Sequence, residues 1–322
     1  MGRVVKDVEN GGSNVTGNVT QGMESRLNCI KNKRRRREAV KKVLQAKKKL
    51  KKDARKQKRK GVEARPRQTP RTLESTREKD PAMVDALGDS ESEEYQYLLA
   101  HDEFSSYYNK TYEPRVVVTF SDNPHTKVRR FGRELCRIIP NSVCLKRNRA
   151  SVKKMVQSCT ERGYTDVVII NEDRKIPNGL LLIHLPDGPT ANFRLSNVKL
   201  MAELKRDKEV TAHRPEVILN NFQTQLGTTV SRMLAALFHY DPQFRGRRAA
   251  TFHNQRDYVF FRHHRYEFTE TGKVRLRELG PRFTLKLRSL QKGTFDSKMG
   301  EYEWIISGRR HEMETSRRRF FL

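Results

Sequence analysis

From Tyr112 onward, short apolar runs alternate with apolar residues at helical spacing, which is the pattern of an α/β domain. Pro114 precedes the apolar, β-branched run Val116–Phe120, which predicts a buried strand. The apolar residues that follow recur at helical intervals and predict a helix with one buried face. These residues are Val128, Phe131, Leu135, Ile138 and Ile139. The outward face of the same helix carries three arginines: Arg130, Arg133 and Arg137.

Further strands and one more helix are predicted before residue 200. The helical spacing of the second helix stops at Gly163, a residue that commonly ends helices. A turn sequence, Pro186-Asp187-Gly188-Pro189, separates two apolar runs and predicts a hairpin. The predicted elements are strands at 143–145 and 167–170, a helix at 152–159, and a hairpin formed by 180–185 and 191–195.

The pattern that begins the domain, a proline followed by a strand and then a helix, recurs about a hundred residues later. Pro215 precedes the apolar run 217–222, and a second helical stripe follows it. The stripe consists of Leu226, Val230, Met233, Leu234 and Leu237. We therefore predict a duplicated α/β unit, with one half at about 112–210 and the other at about 211–305. A chance repetition of strand and helix is the alternative.

The second half contains a strand with an alternating charge pattern at 282–288. Phe283, Leu285 and Leu287 alternate with cations, so one face of the strand is apolar and the other basic. A similar alternation occurs just upstream, before Gly280-Pro281. If the two strands are neighbours, five cations line one sheet face: Arg275, Arg277, Arg282, Lys286 and Arg288. Such a row would follow a phosphate backbone, whereas an ordinary solvated face is the alternative.

Aromatic residues of the preceding strand, 256–268, alternate with period two. Tyr258, Phe261 and Tyr266 are candidates for stacking on unpaired RNA bases, and Arg262 and Arg265 are candidates for phosphate contact. The alternative is that these aromatic residues belong to the hydrophobic core.

The segment before the domain is dominated by charge. Residues 31–60 hold 18 lysines and arginines against Glu38 and Asp53, a local charge of +16. Apolar residues at loosely helical spacing predict a basic helical arm that forms on contact with a polyanion. A solvated localisation signal is the alternative. The candidate RNA contacts in the arm are Lys33, Arg34, Arg35, Arg36, Arg37, Lys47, Lys48 and Lys49.

The remaining segments predict little structure of their own. Residues 1–30 are rich in Gly, Asn and Ser and predict disorder, and residues 61–111 read as a linker. Within this linker, Ser90 and Ser92 lie among acids, as a phosphorylation site or as a solvated stretch. Several apolar residues follow and predict a patch that docks on the domain or on a partner: Tyr95, Tyr97, Leu98, Leu99, Phe104, Tyr107 and Tyr108. Residues 306–322 read as a basic C-terminal tail.

Net charge narrows the class of ligand. The chain of 322 residues carries +29, which favours nucleic acid as a partner. No apolar run is long enough for a transmembrane helix, and the N-terminus lacks a secretory signal, so we expect a soluble, intracellular protein without a membrane partner. Four irregularly spaced cysteines are expected to be buried thiols.

Motifs for catalysis are absent from the sequence. It contains no P-loop, nucleophile elbow or HExxH sequence. His253, His263 and His264 are close in sequence, but no Cys or acid completes a set of metal ligands. We therefore predict no catalytic residue, no metal and no cofactor.

The run GPRFTLKLRSLQKG, from Gly280 to Gly293, resembles the signature of Brix-domain proteins, a family of ribosome assembly factors. Stretches at 119–130, 170–193, 251–268 and 293–304 extend the resemblance over nearly the whole predicted domain. The resemblance implies two similar α/β halves, akin to the anticodon-binding domain of class II aminoacyl-tRNA synthetases. It also implies a nuclear, nucleolar role in assembling the large (60S) ribosomal subunit, without catalysis. The implied partners are precursor large-subunit rRNA, the pre-60S particle and a dedicated assembly-factor protein.

Together these features predict a non-enzymatic RNA-binding assembly factor. Its α/β domain would contact structured rRNA, while the basic arm and tail follow phosphates. One alternative is a nucleolar protein-interaction scaffold whose basic arm serves mainly as a localisation signal. An RNA-processing enzyme is a second alternative, which the missing motifs disfavour.

Overall fold

The described part of the chain falls into two compact units, Met1–Pro70 and Arg71–Leu322. The computed structural model describes residues 31–60, 70–72, 75–77, 102–204, 210–296, 299–306 and 320–322. The predictions for 1–30, for the serines of the acidic segment, for Tyr95 and Tyr97, and for most of the basic tail lie outside these residues.

In the first unit, helix α1 spans Lys33–Lys60. Asn32 lies just before it and its side-chain oxygen accepts hydrogen bonds from the backbone N–H groups of Arg34 and Arg35, at 3.0 and 3.3 Å. This contact satisfies two of the free donors that begin every helix. The apolar residues Leu44 and Leu50 remain exposed. The helix therefore has no hydrophobic face buried within the described residues of its unit.

In the second unit, the described residues form one sheet of eleven strands with helices on its faces. The strands are β1 Val116–Phe120, β2 Ser142–Cys144, β3 Asp166–Asp173, β4 Ile176–His184, β5 Thr190–Lys199, β6 Glu216–Asn220, β7 Arg248–Gln255, β8 Tyr258–Phe268, β9 Val274–Glu278, β10 Arg282–Gln291 and β11 Tyr302–Ile305. The helices are α2 Ser105–Tyr108, α3 Thr126–Ile138, α4 Val152–Glu161 and α5 Gln225–Ala236. Short 3-10 turns lie at Met201–Glu203 and Phe244–Gly246.

The strand order confirms the predicted duplication. Along the sheet the order is β2-β1-β3-β4-β5-β10-β8-β7-β6, so β1-β3-β4-β5 and β6-β7-β8-β10 are equivalent runs that meet at the centre. In each run the first pair is parallel and the later pairs are antiparallel. The antiparallel pair of β5 and β10 joins the halves. The first half adds β2 and α4, whereas the second adds β9 and β11.

The two faces of the sheet are covered differently. Helices α3 and α5 pack on one face, where residues such as Phe131 and Met233 join the strands in the main core. On the other face, Val156 and Cys159 of α4 pack against β3 and β4 of the first half. No described helix covers the corresponding face of β10, β8 and β7. We call this uncovered surface the open face, and the opposite side the helix face.

Packing begins earlier in the chain than predicted. Phe104 and Tyr107 are buried in the main core, and the Arg232 guanidinium forms an ion pair with Asp102. The same guanidinium lies 3.9 Å above the ring of Tyr108. The predicted domain boundary at 112 is therefore too late, because ten preceding residues are part of the folded unit.

The end of the chain is also packed, unlike a free tail. Leu322 is 1% exposed and lies in the main core. The carboxylate of Asp257 accepts hydrogen bonds from the backbone N–H groups of Phe321 and Leu322, at 2.7 and 2.9 Å. Thr224 and Asn254 donate to the carbonyl oxygens of the same two residues, at 2.6 and 2.9 Å. The prediction of a free tail over 306–322 is thus wrong for the last three residues.

A buried arginine connects the two halves. Arg248 donates to the carbonyl oxygens of Thr211 and His213 at 2.6 Å each, and to that of Arg137, at the end of α3, at 3.1 Å. Its Nε donates to Nε2 of His263 at 3.1 Å. His263 must then carry its proton on Nδ1, which donates to the Gly280 carbonyl at 2.9 Å. Gly280 supports this turn because its φ of +79° suits glycine.

Stability should fall in mild acid because His263 is buried and neutral. Burial, with the nearby Arg248 charge, lowers the pKa of His263 to about 4, against the opposing effect of its bond to Gly280. The unfolded chain binds the proton near pH 6.5, so stability is full above that pH and is lost toward pH 4. We expect a loss of about 2 kcal/mol between pH 7 and pH 5 from this residue.

Urea unfolding at both pH values checks this expectation. The variant His263→Gln should show a smaller loss than the wild type, whereas His264→Gln, on the neighbouring half-buried position, should keep most of it. Equal losses in the wild type and in His263→Gln would contradict the assignment.

Candidate nucleic-acid interface

The two predicted basic strands do not pair with each other. Both β9 and β10 pair with the same edge of β8, so they lie end to end along it. Residues directly opposite in an antiparallel pair point to the same face of the sheet. Lys286 lies opposite Tyr258, on the open face, while Arg277 lies opposite Arg265, on the helix face. The prediction that five cations share one face is therefore wrong.

The five cations of the predicted row lie at three different places in the sheet. Arg282 and Lys286 lie on the open face. Arg275 and Arg277 lie on the helix face of β9, opposite Glu267 and Arg265. Arg288 is exposed at an irregularity where the pairing of β10 with β5 shifts register. The predicted alternation of Phe283, Leu285 and Leu287 is confirmed, since all three are buried in the main core.

The open face gathers cations from three strands. Lys286 lies between Tyr258 of β8 and Arg194 of β5, and Arg282 is paired with Lys199 of β5. Arg194 and Lys199 are exposed, while the others are half-buried. We call Arg194, Lys199, Arg262, Arg282 and Lys286 the open-face cluster. The sequence pattern did not predict Arg194 and Lys199 as contacts, because it does not show that β5 and β10 are neighbouring strands.

One member of the cluster is partly neutralised. The guanidinium of Arg282 forms two hydrogen bonds with the Glu278 carboxylate, one of them 2.7 Å long. Burial alone would raise the pKa of Glu278. The bonds to Arg282 and the nearby charge of Arg262 outweigh burial and lower that pKa below its usual value. Burial, together with the charge of Arg282, lowers the pKa of Arg262. Arg262 stays charged at neutral pH, whereas Arg282 is engaged by Glu278, so Arg194, Lys199 and Lys286 are better phosphate ligands than Arg282.

The aromatic candidates differ in access. Tyr258 is 40% exposed on the open face, and the Lys286 ammonium lies 4.9 Å from its ring centroid. Tyr266 is half-buried on the same face, beside Phe268. Phe261 is 1% exposed and stacks on Phe283 within the core, with ring centroids 4.5 Å apart. Phe261 cannot stack on a base, so that prediction is wrong.

A second group of predicted cations lies on the helix side of the molecule. Arg130, Arg133 and Arg137 are exposed on the outer surface of α3, as predicted from the spacing. Arg265 of β8 is exposed opposite Arg277.

The predicted contacts on α1 belong to the first unit. All of them are exposed except Lys47, which is half-buried: Lys33, Arg34, Arg35, Arg36, Arg37, Lys48 and Lys49. The pair of Arg34 and Glu38, at 3.7 Å, is fully solvated and contributes little stability. The helix thus presents closely spaced cations to solvent.

Within the described residues, no three His, Cys, Asp or Glu side chains are grouped to hold a metal ion. His263 lies in the core, where its ring joins Arg248 to Gly280. In the same part of the chain, no helix is both long and apolar enough to cross a membrane.

Comparison with known proteins identifies the family. The model of the Brix domain matches residues 121–289. A Drosophila melanogaster protein named "Probable ribosome production factor 1" is 63% identical over 299 residues, which is 92% of this chain and 75% of that protein. This chain belongs to the Brix-domain family. The match confirms the resemblance of the run at Gly280–Gly293, and it extends from just after β1 into β10, across both halves.

A relative from a vertebrate agrees with this assignment, and one solved structure shows a distant likeness. "Ribosome production factor 1" of Xenopus laevis is 55% identical over 263 residues, which is 81% of this chain and 75% of that protein. Among solved structures, a "probable ribosomal biogenesis protein" from Aeropyrum pernix K1 aligns over 58% of this chain and 99% of its own, with 16% identity and a TM-score of 0.39.

Proposed function

We propose that this protein is a non-enzymatic assembly factor of the large (60S) ribosomal subunit that binds precursor rRNA within the pre-60S particle. Family membership and the names of its relatives, which concern ribosome production, support a role in ribosome assembly. The corresponding site of action is the nucleolus, within the nucleus. The proposal also includes a dedicated assembly-factor protein as partner.

The open-face cluster is the observation that carries RNA binding. A sheet face that no described helix covers holds cations on neighbouring strands beside the exposed ring of Tyr258. Cations at such spacing position a phosphate backbone without reading its sequence. An exposed aromatic ring adds stacking on an unpaired base. Both contacts suit single-stranded or looped regions of a folded RNA.

Reversing charge on the open face should weaken RNA binding. We expect the double variant Arg194→Glu, Lys286→Glu to bind a structured precursor-rRNA fragment about tenfold to a hundredfold more weakly, because two phosphate contacts become repulsive. The slope of log affinity against log salt should fall in magnitude by about 1.5. Filter binding or fluorescence anisotropy over a range of salt concentrations measures both quantities.

The matched control reverses two exposed lysines of α4, Lys153→Glu and Lys154→Glu. It changes the net charge equally but lies off the open face. If both variants lose affinity to the same extent, general electrostatics and not the open-face cluster accounts for binding.

A protein-interaction scaffold is the second candidate function, and one surface favours it. Strands β8 and β9 form a hairpin whose open-face side is apolar, with Phe268 opposite Val274 and Tyr266 opposite Leu276. Phe268, Val274 and Leu276 are each more than half exposed. Unchanged crosslinking of the Arg194→Glu, Lys286→Glu variant to precursor rRNA would favour the scaffold, with α1 as its localisation signal.

A further inference from the structure

A cavity of about 300 Å³ opens at the carboxyl ends of β1 and β2, away from the open face. One wall is the loop between β1 and α3, including Ser121 and Asp122, and the other is the loop that follows β2, at 146–149. In α/β folds, ligands bind at the carboxyl ends of parallel strands. The volume of the cavity lies at the lower end of the range for small-ligand pockets, and it can hold more than a phosphate group.

Cations outnumber carboxylates among the residues that line the cavity. Lys146, Arg147 and Arg149 contribute three positive charges, against the single lining carboxylate of Asp122. Arg147 Nε donates to the Ala150 carbonyl at 2.5 Å, which fixes the orientation of its guanidinium. Lys146 and Arg149 are exposed, and neither forms an ion pair with a carboxylate in the described part of the chain. The pocket therefore holds a net positive charge, with Asp122 as the one counter-charge among its lining residues.

In the second half, the carboxyl end of β6, which corresponds to that of β1, is occupied by the chain itself, whereas the loop after β2 has no counterpart there among the described residues. There, at the end of β6 and the start of α5, Thr224 and Asn254 donate to the carbonyl oxygens of Phe321 and Leu322. Gly227, in the first turn of α5, permits this approach, because a Cβ there would lie 3.0 Å from the Leu322 carbonyl carbon. The carboxyl end of β6 thus already holds oxygen acceptors of the chain.

The two positions differ in what they can bind. In the second half, the carboxylate of Asp257 accepts hydrogen bonds from the backbone N–H groups of Phe321 and Leu322. In the first half, the carboxylate of Glu172 on the β3–β4 hairpin already accepts the backbone N–H of His125, at 2.7 Å. The first-half pocket therefore offers cations in place of a peptide acceptor, which favours an anion over a peptide strand.

We propose that this pocket binds one phosphate of single-stranded RNA on Lys146, Arg147 and Arg149, with the attached nucleoside in the remaining volume. The inference rests on the proposed function and adds a contact site that is separate from the open-face cluster. It places RNA near the β2 edge of the sheet as well as on the open face of its central strands.

The test compares two double variants of the full chain that remove the same charge. Lys146→Ala with Arg149→Ala removes two pocket cations, and Lys153→Ala with Lys154→Ala removes two exposed cations of α4. With a ten-nucleotide single-stranded RNA as probe, we expect the pocket variant to bind about tenfold more weakly, with a salt slope lower in magnitude by about 1.4. The α4 variant should stay within about twofold of the wild type.

A third variant tests the sign of the effect. Asp122→Asn removes the one lining carboxylate, so it should tighten RNA binding by about threefold. Unchanged or weaker binding of Asp122→Asn, or equal losses in the two alanine variants, would overturn the pocket while leaving the proposed function intact. A salt-independent affinity of the wild type would instead overturn the proposed function. If the Lys146→Ala, Arg149→Ala variant still binds RNA as the wild type does but no longer binds a polyglutamate peptide, the pocket proposal is overturned. The pocket would then be a site for an acidic protein segment.

Discussion

Replacing Arg248 with methionine should lower the free energy of unfolding by about 3 to 5 kcal/mol. The substitution keeps most of the side-chain volume but leaves three partly buried carbonyl oxygens and the buried Nε2 of His263 without their donor. Each unsatisfied buried group costs about 1 to 3 kcal/mol, partly relieved by relaxation and water. Burial lowers the pKa of Arg248 to about 10, so the wild-type residue is still charged at neutral pH. Urea unfolding followed by circular dichroism measures the difference.

Arg265→Met is the matched control for this substitution. Arg265 is directly opposite Arg248 in the pairing of β7 with β8, but it is exposed. Its replacement should change stability by no more than about 0.5 kcal/mol. A small effect of Arg248→Met would mean that the carbonyl groups find other partners and that the halves are joined chiefly by β5 and β10.

Deleting residues 31–60 should weaken RNA binding by about a hundredfold or more near physiological salt. The segment carries a local charge of +16, and its helix presents most of its described cations to solvent. Each phosphate that the segment neutralises adds about 0.7 to 0.9 to the salt slope, so the slope should flatten markedly. Thermal unfolding of the Arg71–Leu322 unit should be unchanged, since α1 belongs to the other unit.

Deletion of residues 1–30 provides a control of equal length. That segment has three basic and three acidic residues and therefore no net charge. Its removal should leave affinity within about twofold and the slope unchanged. If both deletions have the same effect, the length of the N-terminal extension matters and its charge does not.

The sequence was sufficient for elements whose signal is local. Val116–Phe120 and the stripe at Val128 and Phe131 predict β1 and α3 because burial of one face imposes a period on the residues. The recurrence at Pro215 predicted the duplication for the same reason. Alternation within β10 likewise gave the correct buried face.

Relations between distant strands could not be read in this way. The predicted row of five cations required β9 and β10 to be neighbours, whereas both pair with β8. Arg194 enters the cluster only through the pairing of β5 with β10, which joins residues far apart in sequence. Phe261 was wrongly predicted to be accessible, since alternation alone does not say which face of β8 is covered by helices. Strand neighbours and layer coverage depend on the whole sheet, so they appear only in the folded structure.

The central pair of β5 and β10 has a consequence for the history of the fold. Either half alone would expose β5 or β10 as an unpaired edge, with free N–H and C=O groups that favour aggregation. Two copies of one half could satisfy both edges by pairing antiparallel, as β5 and β10 do in the intact chain. The domain thus has the geometry of a symmetric homodimer whose subunits were fused into one polypeptide. The halves of this domain are not identical, since α4 covers the first half and no described helix covers the corresponding face of the second.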